Sequence, residues 1–77
     1  MAAPQKGVDL HDSKVLHPDE ASKGGPYAYF HQELDKKLVV NVPRDIRHGQ
    51  KIRLKGMGTA GKNGGPAGDL YLSVRIN

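Results

Sequence analysis

Apolar and polar residues alternate with a period of two along several segments of this chain. In residues 50–55, Ile52 and Leu54 alternate with Lys51, Arg53 and Lys55. In residues 69–76, Leu70, Leu72, Val74 and Ile76 alternate with Tyr71, Ser73 and Arg75. Successive side chains of a strand point to opposite faces, so each segment predicts a half-buried strand with one apolar face. Residues 26–32 put Tyr27, Tyr29 and His31 on one face and Ala28 and Phe30 on the other. Residues 36–42 place Leu38, Val40 and Val42 opposite Val39, and Pro43, which cannot donate to a ladder, ends that strand. Residues 8–17 offer one or two further short strands. Helical character is confined to one short piece: Pro18 suits a first turn, Asp19 and Glu20 suit the positive helix N-terminus, and Lys23 suits the C-terminus before Gly24 and Gly25. The pattern predicts a small all-β antiparallel domain with one short helix over residues 8–77, preceded by a disordered lead at 1–7.

Composition narrows what such a domain can be. With 77 residues and 36% hydrophobic content, one small domain is the upper limit. At this size folding buries only about 60% of the surface of the unfolded chain, so the core is thin. The absence of cysteine removes disulfides and thiolate zinc sites as substitutes for a core. The opening residues lack the apolar run of a signal peptide, and no stretch could span a bilayer as a helix, which predicts a cytoplasmic protein with no membrane partner. Twelve Lys and Arg against eight Asp and Glu give a formal charge of +4. The excess concentrates in Arg44, Arg47, Lys51, Arg53, Lys55 and Lys62, opposed by Asp45 alone. A stripe of that kind favours acidic partners or simply provides a solvated face.

Several motifs suggest chemistry that their surroundings do not support. Gly56, Gly58 and Gly61 have the G-x-G-x-x-G spacing of a dinucleotide cradle. That cradle needs a helix opening at the third glycine, because the helix N-terminus binds the phosphates. Here the glycines run on through Gly64, Gly65 and Gly68 into another strand, which predicts a mobile loop between two antiparallel strands. His17-Pro18-Asp19 has the composition of the J-domain signature, which lies between two long helices, whereas the segments around it here read as strands. His11, His17, His31 and His48 show no ligand-pair spacing, so neither a metal nor another cofactor is expected. Ser13, Ser22, Ser73 and Thr59 share no motif with a base, and no catalytic residue or enzymatic activity is expected. Nucleic-acid binding is the alternative function. The basic stretch supplies charge, but its nearest aromatics, Phe30 and Tyr71, fall outside it, so the stacking platform of a single-strand binder is missing.

The stretch LVVNVPRDIRHGQKIRLKGMGTAGKNGGPAGDLYLSVRI closely resembles the C-terminal β domain of DnaJ-family co-chaperones. In that family a strand ending in proline leads through a turn and a basic strand to a glycine loop and then a Gly-Asp-Leu strand. Upstream, VLHPDEASKGG resembles the family's short strand, brief helix and terminal glycine. The likeness is greatest to the first C-terminal domain of zinc-free, CbpA-like members, since the zinc-binding cysteine insertion is absent. It implies two small β sheets, with the domain capturing non-native polypeptide for a DnaK-type chaperone. An extended client adds beside a strand and places an apolar side chain in a pocket, a mode that tolerates many sequences. The resemblance further implies a fragment of a longer parent that dimerises through segments beyond this one.

Carried over residue by residue, the resemblance assigns the client groove to Leu10, Tyr29, His31, Leu38 and Leu72. His31 departs from the leucine or isoleucine usual in relatives, and the resemblance therefore predicts a groove sensitive to its protonation. In some relatives, lysines on the strand after the helix grip the acidic C-terminal tail of the partner chaperone. That strand carries no lysine here, which leaves Lys36 and Lys37 at the start of the next one for the same role.

Overall fold

The computed structural model describes residues 2–77. In chain order it contains β1 (Leu10–Leu16), α1 (Pro18–Lys23), β2 (Gly25–His31), β3 (Lys36–Val42), β4 (Lys51–Leu54) and β5 (Leu70–Ile76). The strands form two sheets, one of order β1-β5-β4 and one made of the β2–β3 hairpin. The all-β class with a single short helix follows the alternation read from the sequence. One feature departs from a purely antiparallel domain. β5 pairs antiparallel with β4 but parallel with β1, from Leu10 opposite Leu70 to Leu16 opposite Ile76, so the larger sheet is mixed. A parallel pair needs a long connection, and here α1, the hairpin, β4 and the glycine loop all lie between β1 and β5.

The hairpin lays its apolar face over the apolar face of the mixed sheet. Leu16, Val40, Leu70, Leu72 and Val74 are the largest fully buried side chains, joined by Ala21, Tyr29, Val42 and Ile46. Each buried Leu or Val contributes about 1.5–3 kcal/mol relative to exposure. Ile46 belongs to this core although it lies in a turn. Its N–H donates to the Ala21 carbonyl at 3.3 Å and that of Asp45 to the Ser22 carbonyl at 3.2 Å, which fastens the turn to α1. The helix itself is closed at both ends. The Glu20 carboxylate accepts the His17 N–H at 2.8 Å, and the Gly24 N–H donates to the Glu20 carbonyl at 2.9 Å. Gly24 has φ 66, and a Cβ there would meet the backbone of Val42, Pro43 and Arg44, so both conformation and space require glycine.

The segment ahead of β1 is bonded into the glycine loop. Gln5 and Lys62 exchange two backbone hydrogen bonds of 2.9 Å, Gly7 donates to Pro66 at 2.8 Å, and Thr59 donates to Val8 at 2.9 Å. Gln5 and Gly7, in the stretch the sequence suggests as a disordered lead, thus have backbone partners, as does the loop expected to be mobile. Among the described residues no helix is long and apolar enough to cross a membrane.

Candidate functional site: an apolar cavity beside the hairpin

β3 begins with two exposed lysines and then turns its alternate residues, Leu38, Val40 and Val42, toward the other sheet. Val40 and Val42 are covered, whereas Leu38 remains half-buried. Beside it opens a cavity of about 260 Å³ lined by Leu38, Val39, Arg53, Leu54, Lys55 and Met57. Leu38 and Val39 are consecutive in a strand and point to opposite faces, so a cavity touching both wraps the edge of β3. β2 occupies the opposite edge of that strand, and this one has no strand partner among the described residues. Apolar walls therefore adjoin free backbone donors and acceptors, with the exposed bases Arg53 and Lys55 at the rim.

The five residues assigned to a groove divide in two. Tyr29 and Leu38 are register partners in the hairpin, and the rings of Tyr29 and His31 lie edge to face with centroids 6.2 Å apart. Tyr29, Leu38, Leu10 and Leu72 all belong to or pack against the one apolar cluster. Leu72, however, is fully buried at the centre of the mixed sheet, between Asp12 and Ile52, and Tyr29 and His31 are also covered. Leu10 and Leu38 alone of the five keep partly open side chains. Lys36 and Lys37 are exposed, opposite His31 and Phe30.

His31 has a role that a leucine could not fill. Its Nε2 is 3.0 Å from the Met57 carbonyl oxygen, and its Nδ1 is 3.4 Å from the Leu34 backbone nitrogen. A carbonyl only accepts, so Nε2 carries the proton and Nδ1 accepts from Leu34. The imidazole thereby ties the end of the hairpin to the wall of the cavity. Tyr29 is held in a comparable way: its hydroxyl donates to the Asp12 carboxylate of β1. Burial first, and then the Asp12 carboxylate, pushes the Tyr29 phenol up to about 12. The same hydrogen bond, followed by that from the Ser13 N–H, holds the Asp12 carboxyl below its usual range.

Met57 and Leu54 were missed by sequence reasoning. Leu54 reads as ordinary strand core, and Met57 is hidden in the glycine-rich stretch, where a lone apolar residue between two glycines was the available signal. The Gly56–Gly61 spacing does not open a helix. The loop after it bonds to residues 5–9, and the next strand is β5.

The outer face of the mixed sheet differs in chemistry. Across it the register aligns His11, Tyr71 and Arg53 in one row and Ser13, Ser73 and Lys51 in the next, with Arg75 beyond. The rings of His11 and Tyr71 stack with centroids 5.4 Å apart and 18° between planes. Arg53 also forms an ion pair of 2.7 Å with the buried Asp69. Tyr71, outside the basic stretch along the chain, thus lies opposite Arg53 and one row from Lys51 in space.

Two comparisons with known proteins bear on this geometry. The chain is 50% identical over 50 residues to proteins named "Curved DNA-binding protein" from Escherichia coli strains SMS-3-5, SE11 and 55989. The match covers 65% of this chain and 16% of each relative, so the chain corresponds to a small part of their length. Residues 4–77 match the family described as the DnaJ C terminal domain, which takes in the hairpin, the mixed sheet and the glycine loop alike. The chain belongs to the DnaJ C-terminal domain family.

Proposed function

We propose that this domain captures extended, non-native polypeptide as the client-binding module of a DnaJ-type co-chaperone, for transfer to a DnaK-type chaperone, with no catalysis of its own. The observation that carries the reading is the apolar cavity at Leu38, Leu54 and Met57 lying along an unpaired strand edge. A client backbone pairs with that edge while one of its apolar side chains enters the cavity. Cavities of about 150 Å³ already admit a benzene-sized ring, so the larger volume here suits Leu or Phe. The groove is centred on Leu38, with Leu10 as a second open contact. Tyr29, His31 and Leu72 support it from beneath. Lys36 and Lys37, just ahead of Leu38, attract acidic residues flanking the apolar one, such as those of an acidic chaperone tail.

Nucleic-acid binding is the second reading, favoured by the stacked His11–Tyr71 pair among Lys51, Arg53 and Arg75 and in keeping with the names of the relatives. Stacking faces within a basic field are what single-strand binders use. An NMR titration separates the two. An apolar heptapeptide is expected to shift the methyl groups of Leu38, Leu54 and Met57. Shifts confined to His11, Tyr71 and Lys51, obtained with an oligonucleotide and not with the peptide, would replace the client reading with the second.

A further inference from the structure

The glycine loop has no assigned purpose in client capture, yet its glycines are where the backbone of residues 5–9 comes closest. A Cβ on Gly7 would overlap the Thr59 carbonyl, one on Gly65 would overlap Gln5, and those on Gly58 and Gly68 would overlap Val8. None of these four glycines has a positive φ, so room for a second backbone is what they provide. Into that room residues 5–9 dock chiefly by hydrogen bonds. These are the paired Gln5–Lys62 bonds, Gly7 to Pro66, Thr59 to Val8, and the Val8 N–H to Thr59 Oγ1 at 2.7 Å. Val8, the apolar residue of the segment, is 66% exposed and contributes no core contact.

The attachment leads to the cavity in three steps. The Asp9 carboxylate accepts the Asp69 N–H at 2.7 Å. Asp69 in turn accepts the Gly56 N–H at 2.8 Å, and the Gly68 carbonyl accepts the Gly58 N–H at 2.8 Å. Met57, between those two tethered glycines, lines the cavity and offers its carbonyl to His31. We infer that residues 5–9 are a detachable strap whose docking in the glycine loop holds Met57 in the cavity wall, so that release of the strap dismantles the pocket. A segment held by hydrogen bonds, with its one apolar side chain exposed, belongs to the part of a protein that opens first. Docked and released strap are thus two discrete states, and a ligand favouring the intact wall favours the docked one.

The consequence for clients rests on the client-capture reading, whereas the link from strap to Met57 does not. The test uses the full chain with Gly7→Ala and Gly65→Ala, one on each side of the contact. It follows amide exchange at Val8, Thr59 and Lys62, the Met57 methyl signal without ligand, and affinity for an apolar heptapeptide. In both variants the three amides are expected to lose protection and the Met57 methyl to shift, while Val40 and Leu72 remain protected. Peptide affinity is expected to fall about fivefold or more. By reciprocity, the peptide slows exchange at Lys62 in the unmodified chain. If Gly65→Ala does not fold, Thr59→Val, which removes the hydroxyl acceptor for Val8, takes its place. The inference is overturned if the amides exchange freely while Met57 and affinity are unchanged, or if both variants keep the strap protected. Should the unmodified chain bind no peptide, client capture fails, and the Met57 signal still decides whether the strap controls the wall.

Discussion

Replacing Leu38 by serine separates a binding surface from a core position, because Leu38 and Leu72 are both leucines assigned to one groove but differ in exposure. Burying a client Leu or Phe side chain is worth about 1.5–3 kcal/mol. At about 1.4 kcal/mol per tenfold, that caps the cavity's contribution near 10- to 100-fold in affinity. Leu38 is one of four apolar residues lining the cavity, with Val39, Leu54 and Met57, and with the groove centred on Leu38 its loss removes up to about half of that on the logarithmic scale, about 3- to 10-fold. Being half-buried, it costs the fold about 1 kcal/mol, or 4–8 °C in melting temperature for a domain of this size. Leu72→Ala is the contrast: it empties a fully buried site at a cost of about 2–5 kcal/mol. That is a large share of the roughly 4–12 kcal/mol expected for the whole domain. Fluorescence anisotropy with a labelled apolar heptapeptide, at a temperature where calorimetry shows each variant folded, reads the affinities. Leu38→Ser is expected to lose affinity and little stability, and Leu72→Ala the reverse. Affinity of Leu38→Ser within twofold of the unmodified chain would refute the assignment of the cavity.

The titrating groups supply further tests. Spectrophotometric titration should find the Tyr29 phenol, pushed up to about 12, still protonated above pH 11, and Tyr29→Phe should remove that contribution. The Gly56 N–H and then Arg53 hold the Asp69 carboxyl below its usual range. A depressed carboxyl stabilises the fold above its unfolded value of about 3.9, and the contribution disappears as pH falls through the folded value. Asp69→Asn should therefore be less stable at neutral pH and show a flatter acid limb below about pH 4 in urea melts. An unchanged limb would mean that the Gly56 turn draws nothing from the charge. For the nucleic-acid reading, Lys51→Ala should reduce the slope of log affinity against log salt by about one, whereas Tyr71→Ala should weaken binding at all salt concentrations. Equal effects of both on the slope would exclude stacking.

Alternation made the strands legible, and with them the inward faces of β2, β3, β4 and β5, because a period of two is a local property that burial imposes on each strand separately. What alternation does not carry is direction and partnership. Leu10 through Leu16 reads the same whether β1 runs with or against β5, and the direction is set by the connection through α1, the hairpin and β4. Ile46 escaped notice because no period governs a turn, and Tyr71 because its basic neighbours Lys51 and Arg53 lie on the next strand rather than nearby in sequence. The site was half legible for the same reason. The resemblance could name positions, but depth within the sandwich decides which of them stay open, and depth leaves Leu38 half-buried and puts Leu72 at the centre. The glycine stretch shows the limit most plainly. Its spacing suggests a phosphate cradle and its composition a mobile loop, and both readings treat glycine as a property of its own segment. Gly58, Gly65 and Gly68 instead answer to the backbone of Gln5 and Val8, fifty to sixty residues away. A requirement for space set by a distant segment leaves no local pattern, which is why the part of the chain most conspicuous in sequence was the one whose role only the fold supplied.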